Sequence, residues 1–246
     1  MSPTVTVIAA AWCKQQDKEA LLRGHMINLD RQTVEHHRIY VFDGGDVPPD
    51  WLRGTVISVR EPLTIYQAWN VALALVQTPF VMNLNLDDRL AVDGIELLLA
   101  MVESDPDVYL AGGDWKICGT ALETDAIDRA YSINQLPHTM CWPPASDVEA
   151  RIGSGDGLNT LSFGPACLWR MAAHLIMPRY PYRFSDGTLI KVIGDAVWWQ
   201  LLRDHAHKKT ARVPFVIGNY RTWPKGQAEF RDGKEDEHQK TGFMLL

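Results

Sequence analysis

The chain has 246 residues and a formal net charge of −6, from 24 Lys and Arg against 30 Asp and Glu, so no global basic field attracts nucleic acid or anionic lipid. The four cysteines, Cys13, Cys118, Cys141 and Cys167, form neither a CxxC pair nor a Cys/His cluster at zinc spacing, so the sequence suggests neither a disulfide framework nor a structural zinc site. The sequence has no secretory leader pattern and no apolar segment that could span a bilayer, and we therefore expect a soluble cytoplasmic protein.

The first half of the chain alternates short β-branched or apolar runs with segments of helical spacing. The pattern predicts strands at residues 4–10, 38–42, 55–59, 80–84 and 107–115. It predicts helices at residues 17–34, 64–76 and 92–103, with Thr64 as the N-cap of the second. Because strands alternate with helices, the sequence predicts an α/β fold with a mostly parallel central sheet flanked by helices.

The second half of the chain is less regular. Residues 120–165 are rich in Pro, Gly, Ser and Asn, which predicts long loops of the kind that often form lids or binding loops. Regular structure returns with helices predicted at 166–176 and 195–206. A strand is predicted at 211–220, where Pro214 indicates an edge or bent strand. The charged tail 225–246 is predicted to be loosely ordered.

Acidic side chains follow two of the predicted strands. Asp43 ends the second strand within FDGGD, and Asn85, Asp87 and Asp88 follow the fourth strand within NLNLDD. In an open parallel sheet, ligands bind at the carboxyl ends of the strands, so these residues are the first candidates for chemistry. Oxygen ligands in such small number suit Mg²⁺ or Mn²⁺, which completes its coordination shell with phosphate oxygens and water. The sequence therefore predicts a phosphate-bearing substrate.

The acidic pair also has a structural interpretation. Asp87 and Asp88 can form a solvated turn between strand and helix, with one of them capping the helix predicted from Val92. Position favours the metal site, because Asp43 and Asp87 both stand at strand ends that a parallel sheet brings to one edge.

Four motifs in order resemble the family 2 glycosyltransferases of the GT-A fold. They are VTVIAAAW (5–12), IYVFDGGD (39–46), YQAWNVALALVQTPFVMNLNLDDRL (66–90) and IGDAVWWQLLR (193–203). The resemblance covers most of residues 4–205. It implies a single GT-A-like domain at 1–224, with a nucleotide-sugar-binding half at 1–118 and a loop-rich acceptor-binding half at 119–224.

The resemblance also implies roles for individual residues. Asp43 would contact the nucleotide base or ribose, Asp87 would coordinate the metal, and Asp88 would assist beside it. Asp195 would deprotonate the acceptor hydroxyl as the catalytic base. The complete set of donor-binding residues that the resemblance implies is Ala9, Ala11, Asp43, Gly44, Asn70, Asn85, Asp87 and Asp88.

The chain departs from the family pattern in donor recognition. Asn85 replaces the usual first Asp of the metal motif, and it offers a carbonyl oxygen without a charge. Trp69 stands where many members carry an Arg, and Ala10 and Ala11 replace the family's Pro and Asn after the first strand. The resemblance favours a uridine nucleotide, with thymidine, guanosine and cytidine diphosphates as alternatives.

The acceptor side is predicted from Trp169, Arg170, Trp198 and Trp199, each with an alternative. Both residues of the Trp198–Trp199 pair can instead belong to the core, and Arg170 can bind phosphate or lie on the surface. Asp195 follows Gly194 at a predicted helix start, so it can be a plain helix cap rather than a base. Further candidates are His205 and His207 as a third metal ligand, His138 in its Pro-rich loop and residues 226–231 as a lid, but residues in such segments are more often solvated surface features.

These features together predict a metal-dependent inverting glycosyltransferase that uses Mn²⁺ or Mg²⁺. The donor would be a nucleoside-diphosphate sugar, and the acceptor a hydroxyl group on a glycan, a lipid-linked sugar, a protein or a modified nucleobase. A nucleic-acid acceptor is not favoured by the net charge, although a local basic groove is compatible with it. The alternative is a non-catalytic module on the same fold that binds sugar nucleotides or glycans.

Overall fold

The computed structural model describes residues 3–118, 127–132, 135, 141–142, 165–191, 193–204 and 209–221. Five predicted features therefore lie wholly or largely outside the described residues. They are the loops at 120–165, His138, His205 with His207, the segment 226–231 and the tail 225–246.

The elements agree closely with the predicted pattern in the first half of the chain. The strands are β1 Val5–Ala11, β2 His36–Phe42, β3 Thr55–Ser58, β4 Phe80–Asn83, β5 Arg89–Leu90, β6 Val108–Cys118, β7 Tyr131–Ser132, β8 Cys141–Trp142, β9 Cys167–Arg170 and β10 Lys209–Arg221. The helices are α1 Lys18–Asp30, α2 Ile65–Leu73, α3 Gly94–Glu103, α4 Ala173–Ile176 and α5 Gly194–Asp204. The predicted cap of α2 is confirmed, since the Thr64 hydroxyl accepts from the Gln67 amide while the Gln67 side chain accepts from the Thr64 amide.

The strands form one mixed sheet in the order β3-β2-β1-β4-β9-β6-β10-β5. Strands β1 to β4 pair in parallel, β6 and β10 also pair in parallel, and β9 and β5 run antiparallel to their neighbours. This arrangement confirms the predicted α/β fold with a mostly parallel central sheet.

The prediction of a helix over 166–176 was wrong. Cys167–Arg170 forms β9, which lies between β4 and β6 near the middle of the sheet, and only the four residues of α4 are helical. A strand that is buried on both faces is a continuous apolar run, and spacing does not distinguish such a run from a buried helix. Leu168 and Trp169 accordingly have no exposed surface.

The late strand is bent, as predicted, but it is not an edge. β10 pairs with β6 on one side and with β5 and β7 on the other. Its register with β6 shifts between Arg212 and Val216, and this irregularity accommodates Pro214, which has no N–H to donate.

Helices cover both faces of the sheet. On one face, α2, α5 and the segment 177–191 enclose an aromatic core that includes Trp69, Trp169, Tyr180 and Trp198. On the other face, α3 packs against β6, β9 and β10. Within the part of the chain that the structure describes, no helix has both the length and the apolar character needed to cross a membrane.

A buried ion pair joins β6 to β10. Arg212 Nη2 donates to Asp114 Oδ1 at 2.5 Å and to the Gly113 carbonyl at 2.9 Å, and both charged side chains are at most 4% exposed. An exposed pair, Lys209 Nζ to Asp105 Oδ2 at 2.8 Å, joins the start of the same strand to the loop before β6. The two pairs therefore offer a matched comparison of buried and exposed charge.

We expect Asp114→Asn to lower the free energy of unfolding by roughly 3 kcal/mol or more, because it removes the carboxylate charge that the buried Arg212 guanidinium contacts through Nε and Nη2. Asp105→Asn removes the exposed partner of Lys209 and should change the stability much less. Urea denaturation of both variants, followed by circular dichroism, measures the difference. Equal losses of unfolding free energy in the two variants would contradict the interpretation that the buried Arg212–Asp114 pair stabilises the fold more than the exposed Lys209–Asp105 pair does.

Candidate functional site

The carboxyl ends of β1, β2 and β4 meet at one edge of the sheet. Ala11 of β1 stands opposite Phe42 of β2, and Ile8 of β1 stands opposite Asn83 of β4. The residues that follow these strands therefore lie along the same edge, where open α/β sheets bind ligands. We call this the carboxyl edge.

Asp43 fixes two loops of the carboxyl edge. Its Oδ1 accepts from the Cys13 amide at 2.6 Å, its Oδ2 accepts from the Leu63 amide at 2.9 Å, and the residue is only 2% exposed. Gly44 follows with a φ of +64°, and a Cβ on it would lie 2.7 Å from the Cys13 sulfur, so only glycine fits this turn. Asp43 thus has a structural role, and the same carboxylate would also have to make the predicted contact with the nucleotide.

The acidic pair lies in a tight turn after β4. The Asp88 amide donates to the Asn85 carbonyl at 3.2 Å, which closes the turn. Asp88 is fully buried, and its two oxygens accept from the Arg221 amide at 3.1 Å and from Asn85 Nδ2 at 3.2 Å. Asp87 is only partly buried, and no other residue in the described part of the chain donates a hydrogen bond to its carboxylate.

The predicted alternative, in which one of the two aspartates caps the next helix, was wrong. The helix α3 begins at Gly94, and its N-cap is Asp93, which makes no side-chain capping bond. Both Asp87 and Asp88 belong to the turn after β4 instead.

Burial raises the pKa of both carboxyls of the pair. For Asp87, burial outweighs the attraction of Arg221 and Arg89; for Asp88, burial and then the neighbouring Asp87 charge raise the pKa well above its usual range. Two neighbouring carboxylates repel each other when both are ionised, and a divalent cation bound between them relieves this repulsion. The side-chain carbonyl oxygen of Asn85 can serve as a further ligand. Among the described residues, no three His, Cys, Asp or Glu side chains cluster as metal ligands, so such an ion would draw its remaining ligands from substrate and water.

The buried side chain of Arg89 contacts the backbone of the acidic turn, and the buried side chain of His25 lies next to Arg89. Arg89 Nη1 donates to the carbonyls of Leu86 at 2.8 Å and Asp88 at 2.7 Å, and the residue is 7% exposed. His25 of α1 is fully buried, lies 3.2 Å from the Tyr40 hydroxyl through Nδ1, and faces the Arg89 charge. Burial first and Arg89 second lower the pKa of His25 to about 3, so this histidine is neutral near neutral pH. The sequence alone carries no signal for this support.

Asp195 lies in the first turn of α5, beside α2. Its Oδ1 accepts from the Ala196 amide at 2.8 Å and from the Tyr66 hydroxyl at 3.3 Å. A Cβ on Gly194 would lie 2.7 Å from the Tyr66 ring, so glycine at this position allows the two helices to approach. Burial and the Asp195 charge raise the pKa of Tyr66 well above its usual range, and the hydroxyl therefore stays protonated and donates.

Asn70 performs a structural task on the far side of α2. Its Nδ2 donates to the Tyr180 carbonyl at 2.8 Å and its Oδ1 accepts from the Tyr180 amide at 2.9 Å. Ala9 and Ala11 are also structural, because both side chains are 1% exposed and pack in a core with α1. The side chains of these three residues therefore do not support the predicted role in donor binding.

Three of the four predicted acceptor residues lie in the core, and the fourth is partly buried. Trp169 is fully buried in β9, Trp198 is fully buried with its Nε1 donating to the Pro178 carbonyl at 3.0 Å, and Trp199 is 5% exposed. Arg170 holds the backbone carbonyls of Val108 and Val102 at 2.9 and 2.6 Å. These placements favour the core interpretation for the tryptophans and a structural role for Arg170.

Two residues that the sequence interpretation did not select lie at the carboxyl edge. Trp12 follows β1 and is 48% exposed, beside the Cys13 amide that holds Asp43. Arg221 ends β10, and its charge acts on Asp87 while its amide holds Asp88. An exposed aromatic ring can stack on a nucleobase, and a guanidinium can bind phosphate.

No protein-family model and no curated protein matches the sequence. Solved structures do match the fold. The mannosyltransferase PcManGT from Pyrobaculum calidifontis, in complex with GDP-Man and Mn²⁺, has a TM-score of 0.65 and 14% identity over 97% of this chain and 63% of that chain. S. aureus TarS in complex with UDP-GlcNAc has a TM-score of 0.60 and 11% identity over 99% of this chain and 62% of that chain.

The chain therefore has the fold seen in these glycosyltransferases. It spans less than two thirds of the length of either matched chain, with coverages of 63% and 62%. At identities of 14% and 11% the likeness establishes the fold, and the activity follows as a proposal.

Acid should destabilise the carboxyl edge through His25. Because burial lowers its pKa from 6.5 to about 3, the folded chain holds neutral His25 while the unfolded chain binds a proton, so stability is lost as the pH falls below 6.5. His25 alone should contribute a loss of about 2 kcal/mol between about pH 7 and pH 5.

His25→Gln should therefore show a weaker pH dependence of the unfolding free energy than the wild type, and His37→Gln, at an exposed position on β2, should not. Urea denaturation over this pH range measures the effect. An unchanged pH dependence in His25→Gln would contradict the proposed neutral state of the buried histidine.

Proposed function

We propose that the chain is a metal-dependent inverting glycosyltransferase that moves a sugar from a nucleoside diphosphate, with uridine diphosphate favoured, to an acceptor hydroxyl. The observation that carries the proposal is the turn after β4, where two neighbouring carboxylates with raised pKa values stand at the carboxyl edge of a glycosyltransferase fold. The similar solved structures, PcManGT and TarS, are complexes with GDP-Man and Mn²⁺ and with UDP-GlcNAc, respectively, which supports a sugar-nucleotide donor for this chain. A cytoplasmic location stays a prediction.

On the donor side, the nucleotide would lie across the ends of β1 and β2. Trp12 offers an exposed aromatic face for the base, and Asp43 holds the two adjoining loops in place through the Cys13 and Leu63 amides. The diphosphate would extend toward the acidic turn, where Arg221 provides a cationic side chain.

Asp87 is the principal candidate ligand for Mn²⁺ or Mg²⁺, with Asp88 and the Asn85 carbonyl oxygen beside it. Asp87 is the more accessible of the two carboxylates, whereas Asp88 already accepts two hydrogen bonds. The bound cation would offset the negative charge that develops on the departing diphosphate.

On the acceptor side, Asp195 would act as general base. It takes the proton of the acceptor hydroxyl as the acceptor oxygen forms a bond to the anomeric carbon. The bond from that carbon to the diphosphate oxygen breaks, and the diphosphate leaves with the electron pair. The Tyr66 hydroxyl and the Ala196 amide hold the carboxylate in position.

Asp195→Asn should keep donor binding and lower kcat by about 10²- to 10⁴-fold, because the amide keeps the carbonyl oxygen that Tyr66 and Ala196 contact but cannot accept the proton. The control is Asp186→Asn, which changes an exposed aspartate in the preceding segment. Sugar-nucleotide turnover and donor affinity are measured for both. Full turnover in Asp195→Asn would refute the role of this residue as base.

Nucleotide binding should stabilise the fold, and Mn²⁺ should increase the effect. A nucleoside diphosphate at about a hundred times its Kd should add about 2.7 kcal/mol to the unfolding free energy. Thermal-shift assays with uridine, thymidine, guanosine and cytidine diphosphates, each with and without Mn²⁺, identify the nucleotide.

Asp87→Asn/Asp88→Asn should lose the Mn²⁺-dependent part of this shift, whereas Asp107→Asn/Asp186→Asn, with the same change in net charge at exposed positions, should keep it. If no nucleotide gives a shift that depends on Mn²⁺, the donor site is wrongly assigned. A shift in the wild type without any sugar-nucleotide hydrolysis or transfer would favour the non-catalytic binding module.

A further inference from the structure

An exposed apolar surface lies away from the carboxyl edge. The structure has seven large hydrophobic side chains that are exposed among the described residues, and four of them belong to Leu75 and the segment 175–182. Leu175 is 87% exposed, Ile176 53%, Leu75 51% and Tyr182 39%. Single exposed apolar side chains are ordinary, whereas several in one region indicate an interaction site.

The topology brings three of these side chains, those of Leu75, Leu175 and Ile176, to the same end of the molecule. Leu75 lies in the connection that leads into β4, and α4 follows β9, whose Arg170 pairs with Phe80 at the start of β4. The Met171 amide also donates to the Pro79 carbonyl at 2.9 Å, which joins the two connections. This end is opposite the carboxyl edge.

A groove continues from Leu75 along α2. It has a volume of about 1030 Å³ and runs between α2 and the segment 178–183, with apolar side chains such as Val71 and Pro181 in its lining. The only charged side chains among the described residues that line it are Arg179 and Arg183. We call Leu75, Leu175, Ile176, Arg179, Tyr182 and Arg183 together the arginine-edged surface.

Within the described parts of the chain, the two arginines have no acidic partner. Arg179 donates to the Asn70 carbonyl at 3.5 Å, and Arg183 donates to the Gly187 carbonyl at 2.8 Å and lies 5.8 Å from the centre of the Tyr182 ring. Among the described residues, neither forms an ion pair, although other exposed arginines such as Arg31 and Arg53 do. Their charges are therefore available to an anionic partner.

The local charge is opposite to that of the whole chain. Residues 171–191 contain three basic residues, Arg179, Arg183 and Lys191, against one acidic residue, Asp186, and residues 71–79 contain no charged residue. The complete chain has a net charge of −6. Positive charge and aliphatic side chains thus coincide in these two segments of an acidic molecule, while the acidic residues at the same end of the sheet, Glu103, Asp105 and Asp107, belong to α3 and its connection to β6.

We propose that the arginine-edged surface binds the interface of an anionic lipid bilayer. Leu175 and Ile176 project from a short helical turn and would enter the boundary between headgroups and acyl chains, while Arg179 and Arg183 contact lipid phosphates and Tyr182 lies at the headgroup level. Two highly exposed aliphatic side chains, together with arginines that form no ion pair among the described residues, match the apolar and anionic chemistry of that interface. The proposal does not depend on sugar transfer.

Co-sedimentation of the full chain with vesicles tests the proposal. Vesicles of phosphatidylcholine with about 30 mol% phosphatidylglycerol should bind the chain, and vesicles of phosphatidylcholine alone should bind it much less. Raising the salt from about 50 mM to about 500 mM should weaken the binding, because salt screens the headgroup charge.

Two matched pairs of variants locate the surface. Ile176→Asp should abolish most of the binding, whereas Ile27→Asp, at a side chain of α1 with 56% exposure against 53%, should not. Arg179→Gln/Arg183→Gln should lower the partition coefficient by at least about tenfold, since each arginine is expected to contribute about fivefold. Arg31→Gln/Arg129→Gln makes the same change in net charge elsewhere and should have little effect. Thermal melts confirm that each variant is folded.

The proposal is overturned if the wild type does not bind the anionic vesicles, or if Ile27→Asp loses binding as much as Ile176→Asp. It is also overturned if the chain forms a dimer that Ile176→Asp converts to a monomer without any vesicle binding, because the surface would then join two copies of the chain. Each of these results leaves the nucleotide and turnover assays unaffected, so the membrane proposal and the proposed enzyme can fail separately.

Discussion

The candidate site depends on the parallel pairing of β1 with β2 on one side and with β4 on the other. Because the three strands run in the same direction, Trp12, Asp43 and the turn at 85–88 follow them at a single edge. A register shift of one residue in β4 would move its side chains to the opposite face of the sheet. The pairing therefore positions residues that are more than 30 positions apart in the chain before any ligand is present.

Much of the polar chemistry at this edge maintains its shape. Both carboxylate oxygens of Asp43 accept hydrogen bonds from backbone amides. The two oxygens of Asp88 accept one hydrogen bond from the Arg221 backbone amide and one from the Asn85 side-chain amide. Asp87 differs, since it has no such partner from another residue within the described part of the chain. In the proposed enzyme, Asp43 and Asp88 would therefore hold the loops in place. Asp87 would bind the metal ion, and Asp195 would contact the acceptor hydroxyl.

Local patterns predicted the elements better than the contacts. Alternating strands and helices, and the Thr64 capping box, depend on neighbouring residues and were predicted correctly. β9 was missed because a strand buried on both faces has no alternation. The placements of Asn70 and Trp169 depend on which distant segments pack against them, here Tyr180 and the aromatic core, and a single sequence does not contain that information. The acidic strand ends were predicted, but the amides that hold Asp43 and the support from His25 were not.

Charge balance connects the metal to the donor in the proposed enzyme. The carboxylates of Asp87 and Asp88 face the cations of Arg89 and Arg221, so the turn is close to neutral when both acids are ionised. A divalent ion alone would leave excess positive charge there, and a diphosphate alone would leave excess negative charge beside buried acids. Binding both together restores the balance, because each offsets the electrostatic cost of the other. Asn85, which replaces a carboxylate by a neutral amide, removes one negative charge from this balance and makes the cation depend more strongly on the diphosphate for its remaining ligands.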